Sequence, residues 1–190
     1  MVRRRGGGGG DRARTAARLP RARGPSRRLA HRPGDGTSGR ADHAPGVRAG
    51  TLGPQEAGAV LARLLRELHA VPGRLPDAPG LRVLHLDLHP DNVILTADGP
   101  RVIDWGTAED GEPGLDWGMS SVILAQVAVS ADPVAAPAHA ILASLLADPS
   151  RLTEEGLAEA LRRRAANPTM SREEVGLLGA AGELIRSFAS

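Results

Sequence analysis

Apolar residues recur at three- and four-residue steps in the stretch that begins at Pro54. This spacing places them along one face of a helix and leaves Arg, Gln and Glu on the other face. Pro54 suits a first helical turn, because its φ is fixed in the helical range and its missing N–H would have no partner there. Pro72 and Gly73 stop the pattern. We predict an amphipathic helix over residues 54–70.

Short apolar runs separated by turn residues follow this helix. Residues 81–86 predict a buried strand, and residues 92–95 predict a second one. The sequence of residues 97–100, Ala-Asp-Gly-Pro, is typical of a turn. Residues 101–103 predict a third strand, so a small β hairpin is expected in the middle of the chain.

The spacing of apolar residues is helical in the rest of the chain. It predicts helices over residues 115–129 and 135–146, a third helix after Thr153 and a fourth after Ser171. Ser171 and Glu174 match a capping box, in which each side chain satisfies a backbone N–H near the start of the helix. The predicted fold class is therefore α+β and mainly helical.

The first fifty residues have a different composition. They contain 13 Arg, 3 Asp and few aliphatic side chains, for a net charge of +10, whereas residues 51–190 contain 11 Arg and 19 acidic residues, for a net charge of −8. A segment with so little apolar surface cannot offset the entropy of ordering its backbone, roughly 1–2 kcal/mol per residue. We predict a disordered Arg/Gly/Pro-rich tail over residues 1–50 and a folded domain over residues 51–190.

The basic tail leaves nucleic-acid binding open as an alternative. No aromatic residue is present in residues 1–50 to stack on a base, which favours a solvated tail instead. The chain has no cysteine, so disulfides and thiolate chemistry are excluded. No apolar run is long enough to predict a membrane span. A cytoplasmic location fits these observations.

Three polar residues have the spacing that phosphoryl transfer requires. Asp87 follows the first predicted strand, Asn92 comes five residues later, and Asp104 follows the third predicted strand. Phosphoryl transfer needs one carboxylate to accept the proton of the attacking hydroxyl and oxygen ligands to hold Mg²⁺ against the phosphates. Carboxylate and amide oxygens are ligands that Mg²⁺ accepts.

The pattern resembles that of a known family. The motif His85-x-Asp87-x-x-x-x-Asn92, followed by Asp104 before Trp-Gly, is similar to that of the aminoglycoside phosphotransferase and choline-kinase-like family, relatives of the protein kinases. Residues 111–116, Gly-Glu-Pro-Gly-Leu-Asp, are similar to the Gly-Asp-Pro-x-x-Asp segment of that family. The resemblance covers about residues 51–150 and implies the C-terminal lobe of a protein-kinase-like fold, with the hairpin carrying the catalytic loop.

The resemblance implies a role for each motif residue. Asp87 would be the catalytic base, and Asn92 and Asp104 would hold Mg²⁺. ATP or GTP would be the co-substrate, and the acceptor would be a hydroxyl of a small molecule. The acidic balance of residues 51–190 suits a cationic acceptor such as an aminoglycoside. Three further residues are expected to support the catalytic loop without reacting: His85, His89 and Asp116.

A rival interpretation concerns the alternation of His85, Asp87 and His89. In an extended strand, residues two apart face the same side, so these three side chains could gather a transition metal. A binuclear metallohydrolase would need further ligands, and the only later histidine is His139, in a predicted helix. The kinase-like interpretation is therefore preferred.

The chain departs from the family in its N-terminal part. Only 84 residues precede His85, and all 24 basic residues of the chain are Arg, so no lysine is available for the α- and β-phosphates. We therefore expect the N-terminal nucleotide lobe to be missing. Two smaller departures follow. Leu86 stands where the family usually has Gly or Asn, and Glu112 stands where it usually has Asp. An inactive remnant, or a pseudokinase that acts as a binding module, is the alternative function.

Overall fold

A computed structural model describes residues 47–48, 51–74, 78 and 80–189, all within one structural unit, residues Asp42–Ser190. The first helix, α1, spans Pro54–Leu68 with His69 as its C-cap, so it ends slightly earlier than predicted. Its buried face consists of Ala57, Gly58, Leu61, Ala62, Leu64 and Leu65.

Five short strands form two small antiparallel sheets. Strand β2 (Arg82–Leu84) pairs with β5 (Glu109–Gly111). Strands β3 (Val93–Thr96) and β4 (Gly99–Val102) form the predicted hairpin, and β1 (Val47–Arg48) pairs with the outer side of β3.

The strand predictions differ from the structure in several places. Strands β3 and β4 occupy residues 93–96 and 99–102 instead of 92–95 and 101–103, so the predicted turn of residues 97–100 is shorter. The first predicted strand ends at Leu84 instead of residue 86, because Leu86 has a φ of 65°, which no strand residue adopts. Strand β5 was not predicted, since its Glu-Asp-Gly sequence contains no apolar residue. Val47 and Arg48 were assigned to the disordered tail, and that prediction is wrong for these two residues. The rest of the tail lies outside the described residues.

The helices after the sheets begin with α2 (Pro113–Ala128), in which residues 114–126 are all buried. Helix α3 spans Ala135–Leu145 and helix α4 spans Glu154–Ala165. The predicted fourth helix is two helices, α5 (Arg172–Gly176) and α6 (Leu178–Ala189), separated at Leu177. Glycine at the end of α5 is a poor helix former, which accounts for a break there.

Two predicted helix starts are confirmed by the capping geometry. The Thr153 hydroxyl accepts a hydrogen bond from the Gly156 N–H at 3.0 Å, at the start of α4. The capping box of Ser171 and Glu174 is present in full at the start of α5. These bonds satisfy N–H groups that have no partner inside the helix.

Helix α2 is central to this structural unit, with α3, α4 and α6 packed against it. The hydrophobic core is continuous from α1 through the strands to α6. Its largest fully buried apolar side chains are Trp117, Leu61, Leu65, Leu84, Leu88, Leu142, Leu145, Leu157, Ile185, Val93 and Val122.

The helix-rich architecture with small antiparallel sheets confirms the mainly helical α+β class. Among the helices of the described residues, none combines the length and apolar character that crossing a bilayer requires.

Candidate active site

The predicted catalytic loop lies between β2 and the short 3₁₀ turn Pro90–Asn92, which leads into β3. Its first residue, His85, is fully buried. The His85 Nε2 atom lies 3.0 Å from the carbonyl oxygen of Ile103, and its Nδ1 lies 3.3 Å from the backbone nitrogen of Asp87. Nε2 must donate to the carbonyl, and Nδ1 must accept from the N–H. The two contacts therefore select one tautomer of His85 and connect the loop to the end of the β3–β4 hairpin.

The buried carboxylate of Asp116, in the first turn of α2, lies under the same loop. It accepts hydrogen bonds from the backbone N–H groups of His85 at 2.9 Å and Leu86 at 2.7 Å. The Nε2 atom of His69, the C-cap residue of α1, lies 3.0 Å from the same carboxylate. A single side chain thus ties together α1, α2 and the start of the loop. Bonds from N–H groups to a carboxylate are stronger than bonds between neutral groups.

Asp87 is about one-third exposed, so its carboxylate can meet a ligand. The Nδ2 atom of Asn92 donates to the Asp87 carbonyl oxygen at 2.8 Å and to its carboxylate Oδ2 at 3.2 Å. The Nδ2 group also lies 3.2 Å from Nε2 of His89, which is 3.9 Å from the Asp87 carboxylate. The structure therefore brings Asp87, His89 and Asn92 together, with Asn92 orienting the carboxylate.

Asp104 lies just beyond β4, at the same end of the hairpin as Asn92. The backbone N–H of Ile103 donates to the carbonyl oxygen of Asn92 at 2.9 Å, so Asp104 is one residue beyond the partner of Asn92. Asp104 has φ and ψ of 62°, a left-handed conformation in which Asp is more common than most residues. Its side chain is exposed.

The segment after Asp104 packs against His85. The ring of Trp105 meets the His85 ring edge to face, with centroids 4.9 Å apart, and its Nε1 donates to the Val102 carbonyl oxygen at 3.1 Å. The Thr107 hydroxyl donates to the His85 carbonyl oxygen at 2.7 Å. His85 is consequently in contact with the loop, the hairpin and the segment after it.

The donor set at the end of the hairpin fits Mg²⁺. Because Nδ2 of Asn92 points to Asp87 and His89, its Oδ1 faces away from them, and within the described residues it accepts no hydrogen bond. This amide oxygen and the exposed Asp104 carboxylate are hard oxygen ligands of the kind that Mg²⁺ takes from proteins. No group of three His, Cys, Asp or Glu side chains in the described part of the chain could hold a metal ion.

The rival arrangement of His85, Asp87 and His89 around a transition metal is not formed. That arrangement required an extended strand through these residues, but β2 ends at Leu84 and Leu86 has a positive φ. Both ring nitrogens of His85 also contact protein groups.

His69 and Thr107 contact the loop from outside the predicted site. The sequence gives no sign that His69 reaches Asp116, 47 residues later. Nothing in the sequence identifies Thr107 as a contact of the loop, because a single Thr after a Gly is a common turn residue.

A separate cavity of about 520 Å³ lies between β5, the start of α2 and α4. Its acidic residues are Glu109, Asp110, Glu112, Glu155 and Glu159, and its one basic residue is Arg163. Hydrogen bonds from Arg162 and Arg163 lower the pKa of Glu159 to about 2. Asp87, Asn92 and Asp104 do not line this cavity.

Comparisons with known proteins agree with the motif. Residues 2–154 match the family described as "Phosphotransferase enzyme family". Thiamine kinases of Salmonella paratyphi B (strain ATCC BAA-1250 / SPB7), Salmonella newport (strain SL254) and Salmonella heidelberg (strain SL476) are each 50% identical to the chain over 36 residues. These residues are 19% of this chain, and the chain spans only 13% of the length of these relatives.

No solved structure matches the chain significantly. The family match begins at residue 2 and therefore includes the region predicted to be a tail. Since the match covers well over half of the chain and agrees with the resemblance carried by the motif of residues 85–116, the chain belongs to the phosphotransferase enzyme family.

Proposed function

We propose that this protein transfers the γ-phosphoryl group of ATP or GTP to a hydroxyl of a small molecule, in a Mg²⁺-dependent reaction. One observation carries the proposal. The Asp87 carboxylate is accessible and oriented by Asn92, on a loop whose backbone is held by Asp116. A general base must be positioned before its basicity matters, and this arrangement supports that role for Asp87.

Asp87 would accept the proton of the acceptor hydroxyl as the hydroxyl oxygen attacks the γ-phosphorus. The new O–P bond forms while the bond to the bridging oxygen breaks, and the nucleoside diphosphate leaves. Asn92 Oδ1 and the Asp104 carboxylate would hold Mg²⁺, whose charge offsets the negative charge of the phosphates. His85, His89 and Asp116 would act only by holding the loop in position.

The acceptor is proposed to be a cation. The net charge of −8 over residues 51–190 and the acidic cavity beside β5 favour a positively charged molecule. Aminoglycosides carry amino groups, and the relatives named above are thiamine kinases. Both compounds are therefore suitable acceptors for a first test. A cytoplasmic location belongs to the same proposal, since ATP and GTP are the donors.

A γ-labelled nucleotide assay on the full chain tests this function. We expect label transfer to an acceptor in the presence of Mg²⁺, and Asp87→Asn should lower the rate by about 10²–10⁴-fold, as for loss of a general base. Asp98→Asn, in the exposed turn between β3 and β4, is the matched control and should leave the rate unchanged. An Asp87→Asn variant with the wild-type rate would exclude Asp87 as the base.

A binding module without activity is the second candidate, favoured by the absence of lysine from the whole chain. Thermal unfolding with Mg·ATP or Mg·GTP distinguishes the two. A ligand that binds the folded state stabilises it by about 2.7 kcal/mol at one hundred times its dissociation constant. An unchanged melting temperature at saturating nucleotide concentrations would favour the module.

A further inference from the structure

A second cavity, of about 190 Å³, lies between the end of α1, the start of α2 and the 3₁₀ turn Pro149–Arg151. Its lining residues are Arg66, His69, Ala70, Trp117 and Arg151. None of the residues assigned to the catalytic loop or to Mg²⁺ lines it. A water molecule takes about 30 Å³ in the liquid, so the cavity has room for several waters or for a small anion.

Two guanidinium groups, from separate elements, border this cavity. Within the described residues, neither Arg66 nor Arg151 forms an ion pair or a side-chain hydrogen bond. The exposed carboxylate of Asp148 is attracted electrostatically to both guanidinium groups. Hydrogen bonds from Ser150 lower the pKa of Asp148, and attraction to Arg66 and Arg151 lowers it further. Asp148 therefore offsets part of the positive charge, and the guanidinium N–H groups still lack an acceptor.

Two buried ring nitrogens, in residues that line the same cavity, also lack hydrogen-bond partners. Trp117 is fully buried, and its Nε1–H has no acceptor; His69 is 94% buried at its side chain, and its Nδ1 has no partner. Most buried polar groups of native proteins are hydrogen-bonded, so an orphaned pair in one cavity calls for an explanation. An indole N–H can only donate, and it therefore requires an acceptor atom.

We propose that this cavity binds a small phosphate-type oxyanion, either inorganic phosphate or the phosphoryl group of a small ester. Guanidinium groups bind such anions through charge-assisted hydrogen bonds. A tetrahedral anion directs its oxygens in several directions, which suits donors on α1, on α2 and on the 3₁₀ turn. His69 also lines the cavity, and its Nε2 atom contacts the Asp116 carboxylate under the catalytic loop. This carboxylate already accepts two backbone hydrogen bonds besides the His69 contact.

The indole N–H signal of Trp117 provides a direct test, by ¹⁵N-resolved NMR of the full chain. The chain has two tryptophans, and Trp105→Phe removes the other indole signal and so assigns the one from Trp117. Inorganic phosphate is titrated against chloride at constant ionic strength. We expect a saturable downfield displacement of the Trp117 signal, as for an N–H that gains a strong acceptor. An unmoved or non-saturating signal would overturn the proposal.

Paired variants separate this site from general attraction to positive charge. Arg66→Gln and Arg151→Gln should each weaken phosphate binding roughly tenfold or more, the loss expected for a charge-assisted hydrogen bond. Arg63→Gln removes the same charge from an exposed position on the same helix and should leave binding unchanged. Equal weakening in all three variants would contradict a built site.

The source of the oxyanion is distinguished by two further titrations. Glycerol 1-phosphate displaces the Trp117 signal if a phosphate ester is accepted, and a response to inorganic phosphate alone assigns the site to the free ion. Acetate, a planar carboxylate, should bind more weakly than either. Stronger binding of acetate than of both phosphates would overturn the assignment to a phosphate-type anion.

Discussion

The Asp116 carboxylate accepts a hydrogen bond of 2.7 Å from the backbone N–H of Leu86, a residue in the left-handed conformation with a φ of 65°. A non-glycine residue rarely adopts this conformation, because its Cβ approaches the backbone too closely. The Leu86 side chain is nevertheless buried, at 6% exposure. One buried carboxylate and one buried side chain therefore hold a backbone conformation that is unfavourable by itself, at the point where the chain turns towards Asp87.

Replacing the Asp116 carboxylate is expected to destabilise the fold. Asp116→Asn keeps the shape but replaces one oxygen by an NH₂ group, so one of the two N–H groups, that of His85 or that of Leu86, loses its acceptor. Each buried donor left without a partner costs about 1–3 kcal/mol. We expect a fall of that size in the free energy of unfolding, measured by urea denaturation at unchanged m-value.

The matched variant is Asp98→Asn, in the exposed turn between β3 and β4. Exposed substitutions usually change the free energy of unfolding by about 0.5 kcal/mol or less. Equal stabilities for Asp116→Asn and the Asp98 variant would show that the backbone hydrogen bond lost in Asp116→Asn contributes nothing to stability.

Because the backbone of Leu86 is left-handed, we expect the usual order of stability of Ala and Gly variants to be reversed at this position. In a helix interior, Gly is about 1 kcal/mol less stable than Ala. At a φ of 65°, Ala keeps the steric cost and Gly removes it. Both substitutions lose the buried Leu side chain, so that loss cancels in the comparison. We expect Leu86→Gly to be more stable than Leu86→Ala by about 1 kcal/mol in urea denaturation.

Leu65, fully buried in the middle of α1, provides the opposite case. There Leu65→Gly should be less stable than Leu65→Ala. If both positions favour Ala, Leu86 carries no backbone strain, and its departure from the usual Gly or Asn has no energetic consequence.

The helices were predictable from the sequence because their signals are local. The spacing of apolar residues in α1, the Thr153 cap and the capping box at Ser171 each depend on residues within a few positions of one another. The polar motif likewise placed Asp87 in a loop after a strand, as the structure has it, although Asn92 precedes β3 instead of beginning it. These features could be identified before any tertiary contact was known.

The remaining features depend on partners far away in the chain. Strand β5 has no apolar pattern and exists because β2 offers it hydrogen bonds. The contact of His69 with Asp116 joins residues 47 positions apart. The conformation of Leu86 follows from the carboxylate beneath it and from burial of its side chain. A single sequence contains no local sign of such contacts.

Close packing of α2 against α4 depends on glycine at the crossing. A Cβ added at Gly156 would collide with the backbone of Gly114 and approach the backbone nitrogen of Leu115. Gly156→Ala must push the helices apart, and overpacking of this kind costs typically about 1–3 kcal/mol. Gly179→Ala, in α6, has open space around it and should stabilise by about 0.5–1 kcal/mol. Urea denaturation should therefore give shifts of opposite sign, and a neutral Gly156→Ala would contradict the tight crossing.

The ion pairs of Glu159 should make part of the stability depend on pH. Hydrogen bonds from Arg162, and then from Arg163, lower the pKa of Glu159 from 4.5 to about 2. A lowered pKa means that the folded state holds the proton less tightly than the unfolded state. The stabilisation is therefore complete above pH 4.5 and is lost as the pH falls towards 2.

The free energy of unfolding of the wild type should exceed that of Glu159→Gln at neutral pH, and the difference should shrink through this acidic range. Glu67→Gln, on the exposed face of α1, is the control without an ion pair among the described residues. A difference between wild type and Glu159→Gln that stays constant down to pH 2 would show that solvent screening cancels the pairing, as it does for many exposed ion pairs.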